Sequence, residues 1–275
     1  LRRLIIRPGA IGDCILSLPA MESLCAGAAR TEVWVASQNA PLVRFASHVR
    51  AIASTGLDLL GIPDREAPAA LLDHLASFGS IVSWYGAKRP EFRAAVANLP
   101  FRFLDALPPG EPAVHAADFY LRQAGGGPEP ATPRIACPAA ADGYAVIHPF
   151  SGSRRKNWPL ERFRELARRL SACMPVHWCA GPEDALDGAV RIENLYELAR
   201  WLAGARLYIG NDSGITHLAA AAGAPVVALF GPSDPHVWAP RGPRVRVLAT
   251  LRPGDPIEDI PLTTVWEAGV SLGVV

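Results

Sequence analysis

Residues 204–230 read GARLYIGNDSGITHLAAAAGAPVVALF, and this stretch decides the fold. Leu207–Gly210 is a short apolar run, the pattern of a strand covered on both faces. Asn211, Asp212, Ser213 and Gly214 form a polar turn. Ile215–Ala222 is a helix of small residues that can lie close on a sheet, and Pro225–Phe230 is a second apolar run. Strand, turn, helix and strand in this order are a βα unit of a parallel sheet.

The same alternation extends outward in both directions. Tyr144–His148 reads as a strand. Pro159–Leu170 reads as a helix, with Phe163, Leu166, Ala167 and Leu170 at i, i+3, i+4 and i+7 and Pro159 at its first helical position. Pro175–Cys179 (strand), Leu195–Gly204 (helix) and Arg244–Ala249 (strand) follow, and Pro261–Ala268 reads as a last helix. In the first half, strands are expected at Leu4–Arg7, Glu32–Ala36, Val49–Ala53 and Ser80–Trp84. Helices are expected at Asp13–Cys25, where Pro19 should kink or confine the helix, and at Pro68–Phe78. Between the halves, the stretch Gly125–Gly143 (GGGPEPATPRIACPAAADG) reads as a linker, because Pro and Gly disfavour regular structure. The expectation is an α/β chain of two Rossmann-like domains, residues 1–130 and 131–275, facing across a cleft.

Composition narrows the function. The 275 residues are half hydrophobic, with 27 Lys and Arg against 26 Asp and Glu. A net charge of +1 gives no reason to expect a nucleic-acid partner. Arg154, Arg155 and Lys156 cluster, which is enough for one phosphate group. The five cysteines form no C-x-x-C pair and are odd in number, which disfavours a zinc site or a disulfide scaffold and fits a reducing compartment. Cys173 and Cys179 read as buried packing residues. No apolar run approaches the roughly 18 residues of a membrane span, and the N-terminal apolar stretch reads as a first strand rather than a signal peptide. A cytoplasmic enzyme that touches a membrane surface is expected.

Three turns at strand ends carry candidate chemistry. Arg7-Pro-Gly-Ala-Ile-Gly-Asp13 follows the first strand. Gly9 and Gly12 allow a tight turn, and the following helix offers free amides where open α/β sheets bind ligands. Asp13 reads either as the N-cap of that helix or as a general base. The G-x-G-x-x-G dinucleotide fingerprint is missing, which disfavours a nicotinamide dehydrogenase. In His148-Pro-Phe-Ser-Gly-Ser-Arg-Arg-Lys-Asn-Trp-Pro159, Ser151 and Ser153 can donate to phosphate oxygens, Gly152 permits close approach, and Lys156 can offset charge on a diphosphate. A solvated basic loop is the alternative. In the third turn, Asp212 or Ser213 caps the helix, and the amides of Ser213 and Gly214 sit at its positive end. His217 either reaches a phosphate or is packed inside. A structural turn is expected at Phe230-Gly-Pro-Ser-Asp-Pro235. Glu183, after another strand, is placed where an acid could hold ribose hydroxyls.

Taken together, GAIGDCILSLP (9–19), HPFSGSRRKNWP (148–159) and GNDSGITHLAAAAGAPVVALFGPSDP (210–235) resemble the heptosyltransferases of glycosyltransferase family 9. The resemblance covers most of the second half and the first β-turn-α of the first half; residues from about 43 to 130 carry none. It implies a GT-B fold and an inverting, metal-independent transfer with no cofactor, of heptose from ADP-heptose to a hydroxyl of lipopolysaccharide core or another surface glycan. In that reading Asp13 is the general base. Lys156, Ser151 and Ser153 hold the donor diphosphate together with the amides of Ser213 and Gly214, with Asp212 and His217 nearby. Glu183 holds the ribose, and the adenine lies near Asn194–Leu195 and the strand at 206–210. The expected partners are a nucleotide-sugar donor and a glycan or glycolipid acceptor, with peripheral membrane contact and a monomeric chain. A non-hydrolysing 2-epimerase of the same fold, or a non-catalytic nucleotide-sugar-binding protein, would share the nucleotide pocket.

Overall fold

A computed structural model describes residues 1–127, 130–139, 143–252 and 254–273. The chain divides into two compact units, Leu1–Ala131 and Thr132–Val275.

In the first unit the elements run β1 (Arg2–Arg7), α1 (Ile11–Leu16), α2 (Leu18–Ala26), β2 (Arg30–Val35), β3 (His48–Ala51), α3 (Ala69–Ala76), β4 (Ser80–Ser83), α4 (Pro90–Ala95), β5 (Phe101–Phe103) and α5 (Ala116–Ala124). The strands form one parallel sheet in the order β3-β2-β1-β4-β5. Leu4, Ile5, Ile6, Val33, Trp34, Val35 and Ile81 are fully buried on the central strands, as expected for a sheet covered on both faces. The expected Asp13–Cys25 helix is two helices, broken at Ser17. Pro19 is the second residue of α2 and has no N–H to continue the ladder of α1. The expected third strand ends two residues early, because Ile52–Ser54 turns into a 3-10 helix. Strand β5 and helices α4 and α5 were not expected: the first is three residues long and the helices are short and of mixed polarity.

The second unit runs β6 (Tyr144–His148), α6 (Leu160–Leu170), β7 (Val176–Trp178), α7 (Leu195–Ala203), β8 (Ala205–Asn211), α8 (Gly214–Ala221), β9 (Val226–Phe230), α9 (Pro235–Trp238), β10 (Val245–Ala249) and α10 (Leu262–Ser271). Its parallel sheet has the order β10-β9-β8-β6-β7. One core face holds Trp158, Phe163, Leu166, Leu170, Ile209 and Leu229 among others. Pro159 is the N-cap of α6 rather than its first helical residue. Cys179 is buried, but Cys173 is exposed: it lies in the surface turn after α6, and the buried residue of that turn is Met174.

The stretch expected as a linker holds no helix or strand among its described residues, yet it is anchored. The amide of Ala131 donates to Asp118 Oδ1 at 2.7 Å, and that of Ile135 donates to the carbonyl of Ala221 at 2.9 Å. Residues 128, 129 and 140–142 of this stretch lie outside the described residues.

Each sheet has one point where the strand order reverses. In the first unit β2 and β3 lie to one side of β1 and β4 lies to the other. In the second unit β7 lies to one side of β6 and β8 to the other. Loops leaving the C-terminal strand ends at such points splay apart and open a crevice for ligands. The Pro8–Asp13 loop leaves one of these points, and the loops after His148 and Asn211 leave the other.

Candidate functional site

The second unit builds its crevice from neutral polar groups around one ion pair. Asn211 ends β8 with no solvent exposure. Its Nδ2 donates to the carbonyl of Pro149 at 2.8 Å, and its Oδ1 accepts the amide of Trp158 at 3.0 Å, so one side chain ties both ends of the loop after β6 to β8. Trp158 is buried and donates its Nε1–H to the carbonyl of Ile260, fixing the far end of that loop in the core. Gly210 is required where β8 passes the end of β6, since a Cβ there would lie 2.7 Å from the Tyr208 hydroxyl and 3.0 Å from the carbonyl of His148.

Ser213 caps α8. Its hydroxyl accepts the amide of Thr216 at 3.3 Å and lies 3.1 Å from Thr216 Oγ1 and 3.4 Å from His148 Nδ1. Thr216 Oγ1 donates to the carbonyl of Asn211 and meets the Tyr208 hydroxyl at 3.1 Å. With the cap made by Ser213, Asp212 is free for another role, and it pairs with Lys156 at 2.6 Å. The Asp212 side chain is 9% exposed and that of Lys156 32%. An ammonium has three donors, so Lys156 keeps others for a ligand. The amides of Gly214 and Ile215, the first two helical residues, have no acceptor among the described residues and lie at the positive end of α8.

The Ser/Gly/basic loop is a short 3-10 turn, Arg154–Lys156, capped by Ser153. The hydroxyl of Ser151 faces inward, 2.8 Å from the carbonyl of Ser153 and 2.7 Å from Asn157 Oδ1. Its one proton is committed within the loop, so Ser151 shapes the loop. Ser153 has no side-chain partner among the described residues, and an added Cβ at Gly152 would meet no atom within 4 Å. His148 is buried, and burial pushes its imidazole down to about 4, so the ring is neutral at physiological pH. His217, the fourth residue of α8, is buried as well, in the packed position. Leu195 is buried at the start of α7, where Asn194 accepts the amides of Tyr196 and Glu197. Glu183 is exposed in the turn after β7. That turn is shaped by its neighbours: Asp184 accepts the amide of Gly181 at 2.7 Å, and Arg191 donates to the carbonyls of Gly181, Asp184 and Leu186.

The first unit arranges its turn differently. Gly9 has φ +128°, which a side chain rarely adopts, and a Cβ there would press within 3.0 Å of Asp13. Gly12 is already helical. Ala10 is the N-cap of α1, and Asp13 is the third helical residue. Asp13 is therefore not the N-cap; its Oδ2 reaches back to accept the amide of Ala10 at 3.2 Å, leaving the carboxylate half-buried at the helix's positive end. Beneath it lies Arg7, 2% exposed. Its guanidinium donates to Ser17 Oγ and to the carbonyls of Pro8 and Asp13, and its centre lies 4.6 Å from the Tyr120 ring and 5.6 Å from the Trp84 ring. Asn39 Nδ2 holds the carbonyl of Gly9 at 3.1 Å.

Residue reasoning gave no role to Arg7, Asn39, His148, Tyr208, Asn211 or Thr216. The available signals were an arginine at the end of an apolar strand and an asparagine at a strand end just before a helix cap.

Residues 128–256 match the family model for glycosyltransferase family 9 (heptosyltransferase). The second unit is a glycosyltransferase family 9 domain. Among curated proteins, lipopolysaccharide heptosyltransferase 1 of Salmonella typhimurium is 33% identical over 111 residues, 35% of this chain and 35% of that protein. The Pseudomonas aeruginosa protein of the same name is 39% identical over 93 residues, 29% of this chain and 26% of that protein. These alignments thus span about a third of the relatives' length or less. Among solved structures, E. coli ADP-heptose lipopolysaccharide heptosyltransferase II superposes with TM-score 0.75 at 21% identity, covering 99% of this chain and 98% of that one. An ADP-bound E. coli heptosyltransferase gives TM-score 0.71 at 18% identity, covering 99% and 100%. The fold is the GT-B class of two Rossmann-like α/β units in one chain.

Proposed function

We propose that this family 9 chain is an inverting glycosyltransferase that moves heptose from ADP-heptose to a hydroxyl of a lipopolysaccharide-core or related surface glycan. The observation that carries the reading is the Lys156–Asp212 pair set beside the Ser213-capped start of α8 at a reversal point of the sheet. A diphosphate there would meet a cation, the amides of Gly214 and Ile215 and the hydroxyl of Ser153. The choice of heptose is supported by the likeness to lipopolysaccharide heptosyltransferases, and the choice of ADP by the similar fold of an ADP-bound heptosyltransferase.

In this reading the acceptor hydroxyl attacks the anomeric carbon as the carbon–oxygen bond to the diphosphate breaks. Asp13 takes the hydroxyl proton, and ADP leaves with the bonding electron pair. Lys156 and the amides of α8 offset the charge that builds on the leaving diphosphate, the task a metal ion performs in other transferases. Asp13 suits a base because its carboxylate is partly open and fixed by the amide of Ala10. The acceptor is held by the first unit, and the chain works at the cytoplasmic face of the inner membrane without spanning it.

The test is Asp13→Asn, assayed for transfer from ADP-heptose and for ADP affinity. Turnover falls by about 10²–10⁴-fold while ADP affinity stays within about twofold. Unchanged turnover would remove Asp13 from the reaction. Affinity for ADP-heptose with no turnover in the unsubstituted protein would mark a binding protein.

A further inference from the structure

At the opposite end of its sheet, the first unit carries a cavity that the transferase reading does not use. It has a volume of about 320 Å³ and lies where β1, β2 and β3 begin, against the C-terminal turn of α3. The Pro8–Asp13 loop leaves the other end of β1, six residues away, or about 20 Å along an extended strand.

The basic side chains lining this cavity are those of Arg2, Arg30, Arg50, His48 and His74, against one carboxylate, Glu32. Glu32 is 6% exposed and already engaged. It accepts the Trp34 Nε1–H at 2.7 Å, meets His74 Nε2 at 3.1 Å, and pairs with Arg50 Nε at 3.1 Å. His74 is held further by parallel stacking on Trp34, with centroids 6.0 Å apart, and by edge contact with Phe78 at 5.1 Å. Arg2 lies over the other aromatic wall, 4.8 Å from the Phe78 centroid, and donates to Ser77 Oγ. Thr31 and Ser47 cross-bond, each backbone amide donating to the other's hydroxyl, which ties the start of β2 to the chain entering β3. The buried carboxylate thus works as a rivet: it fixes Arg50 and His74 at the rim but offsets only one of three arginine charges. The remaining positive charge converges on a recess of the size that small ligands occupy, and arginine forks match phosphate oxygens in pairs.

We propose that this cavity is an anion site for the phosphate group of a small soluble molecule, separate from the donor site of the second unit. Arg30 and Arg50 grip the phosphate, Arg2 closes the side over Phe78, and the Glu32–Trp34–His74 set forms the fixed floor. A lipid headgroup would offer the same phosphate, but the recessed floor suits a ligand that enters whole.

The experiment titrates inorganic phosphate into the full chain while amide resonances are followed, with ADP present throughout to occupy the donor site. Shifts are expected at Thr31, Glu32, Ser47 and Arg50. Affinity should fall roughly tenfold in Arg30→Gln and further in Arg30→Gln/Arg50→Gln. Arg30 is exposed and has no partner among the described residues, so its single variant keeps the test valid if the double variant does not fold. A parallel arm measures sedimentation with phosphatidylcholine vesicles containing phosphatidic acid; equal sedimentation of wild type and Arg30→Gln is expected. Three results would overturn the proposal: no shifts at these amides, shifts that Arg30→Gln leaves unchanged, or Arg30-dependent vesicle binding without binding of inorganic phosphate.

Discussion

The two units solve one structural problem in opposite ways. Each must hold a loop rigidly at the point where its strand order reverses. The first unit does so with a buried cation: Arg7 fastens the loop from below by donating to two carbonyls and Ser17, while Tyr120 and Trp84 cover its charge. The second unit uses neutral groups, with Asn211 bridging two loops and Ser213, Thr216 and Tyr208 sharing hydroxyls. The charge each loop presents outward is also opposite. The first shows a carboxylate, Asp13, above its buried cation. The second shows a cation, Lys156, and helix amides above its neutral network. A loop braced from below by positive charge can present a base; a loop braced by neutral bonds holds its cation on Asp212 with donors left over for an anion.

The comparison breaks most visibly if its two anchors are removed. Asn211→Ala leaves the Pro149 carbonyl and the Trp158 amide without partners inside the core. It should cost about 2–4 kcal/mol, read from denaturant unfolding of the second unit by hydrogen exchange. Arg7→Ala should cost a similar amount in the first unit, with protection lost around α1. Loss of protection in both units from either variant would mean that the anchors are not local.

Acid should separate the units next. His148 is held near 4 when folded but titrates at about 6.5 when unfolded, so the unfolded chain binds the extra proton first. The second unit should therefore be at full stability above pH 6.5 and lose roughly 3 kcal/mol as pH falls to about 4. In the first unit, burial works to raise Glu32, but hydrogen bonds from Trp34 and His74, with the charges of His74 and Arg50, hold it below the usual carboxylate value. That stabilisation is present above about pH 4.5 and is lost only below it. Hydrogen exchange across this range should show the second unit loosening first; the reverse order would contradict the assignment of a neutral buried His148.

Smaller effects sharpen the picture. Gly9→Ala forces a side chain into a positive φ and against Asp13, and should cost about 1–2 kcal/mol in the first unit by thermal unfolding. Ser213→Ala removes the cap of α8 and should cost about 1 kcal/mol.

How far the sequence could be read follows the same division. In the second unit apolar strand runs alternate regularly with amphipathic helices, and that alternation placed every element but the four-residue α9, the three-residue β7 included. In the first unit β5 is three residues with an arginine in the middle, and α4 is six residues with Phe92 alone buried. The buried face of α5 mixes two alanines and Asp118 with Tyr120 and Leu121, so the apolar pattern was weak. At the candidate site, the three turns stood out through glycine and hydroxyl residues. The division of labour within them did not. Ser213 rather than Asp212 makes the cap, which frees Asp212 for Lys156, 56 positions away. That pairing depends on β6 and β8 being neighbours, and so does the bridge made by Asn211. Cys173 was misread because a residue flanked by apolar neighbours can still point outward from a surface turn.

The account rests on the second unit's cation being aimed at a diphosphate. Isothermal titration of ADP into the wild-type chain and into Lys156→Met tests this most directly. Affinity should drop by about tenfold or more in the variant, a loss of at least roughly 1.4 kcal/mol. Equal affinity in the two proteins would show that Lys156 serves only Asp212 and that the nucleotide, if bound, sits elsewhere.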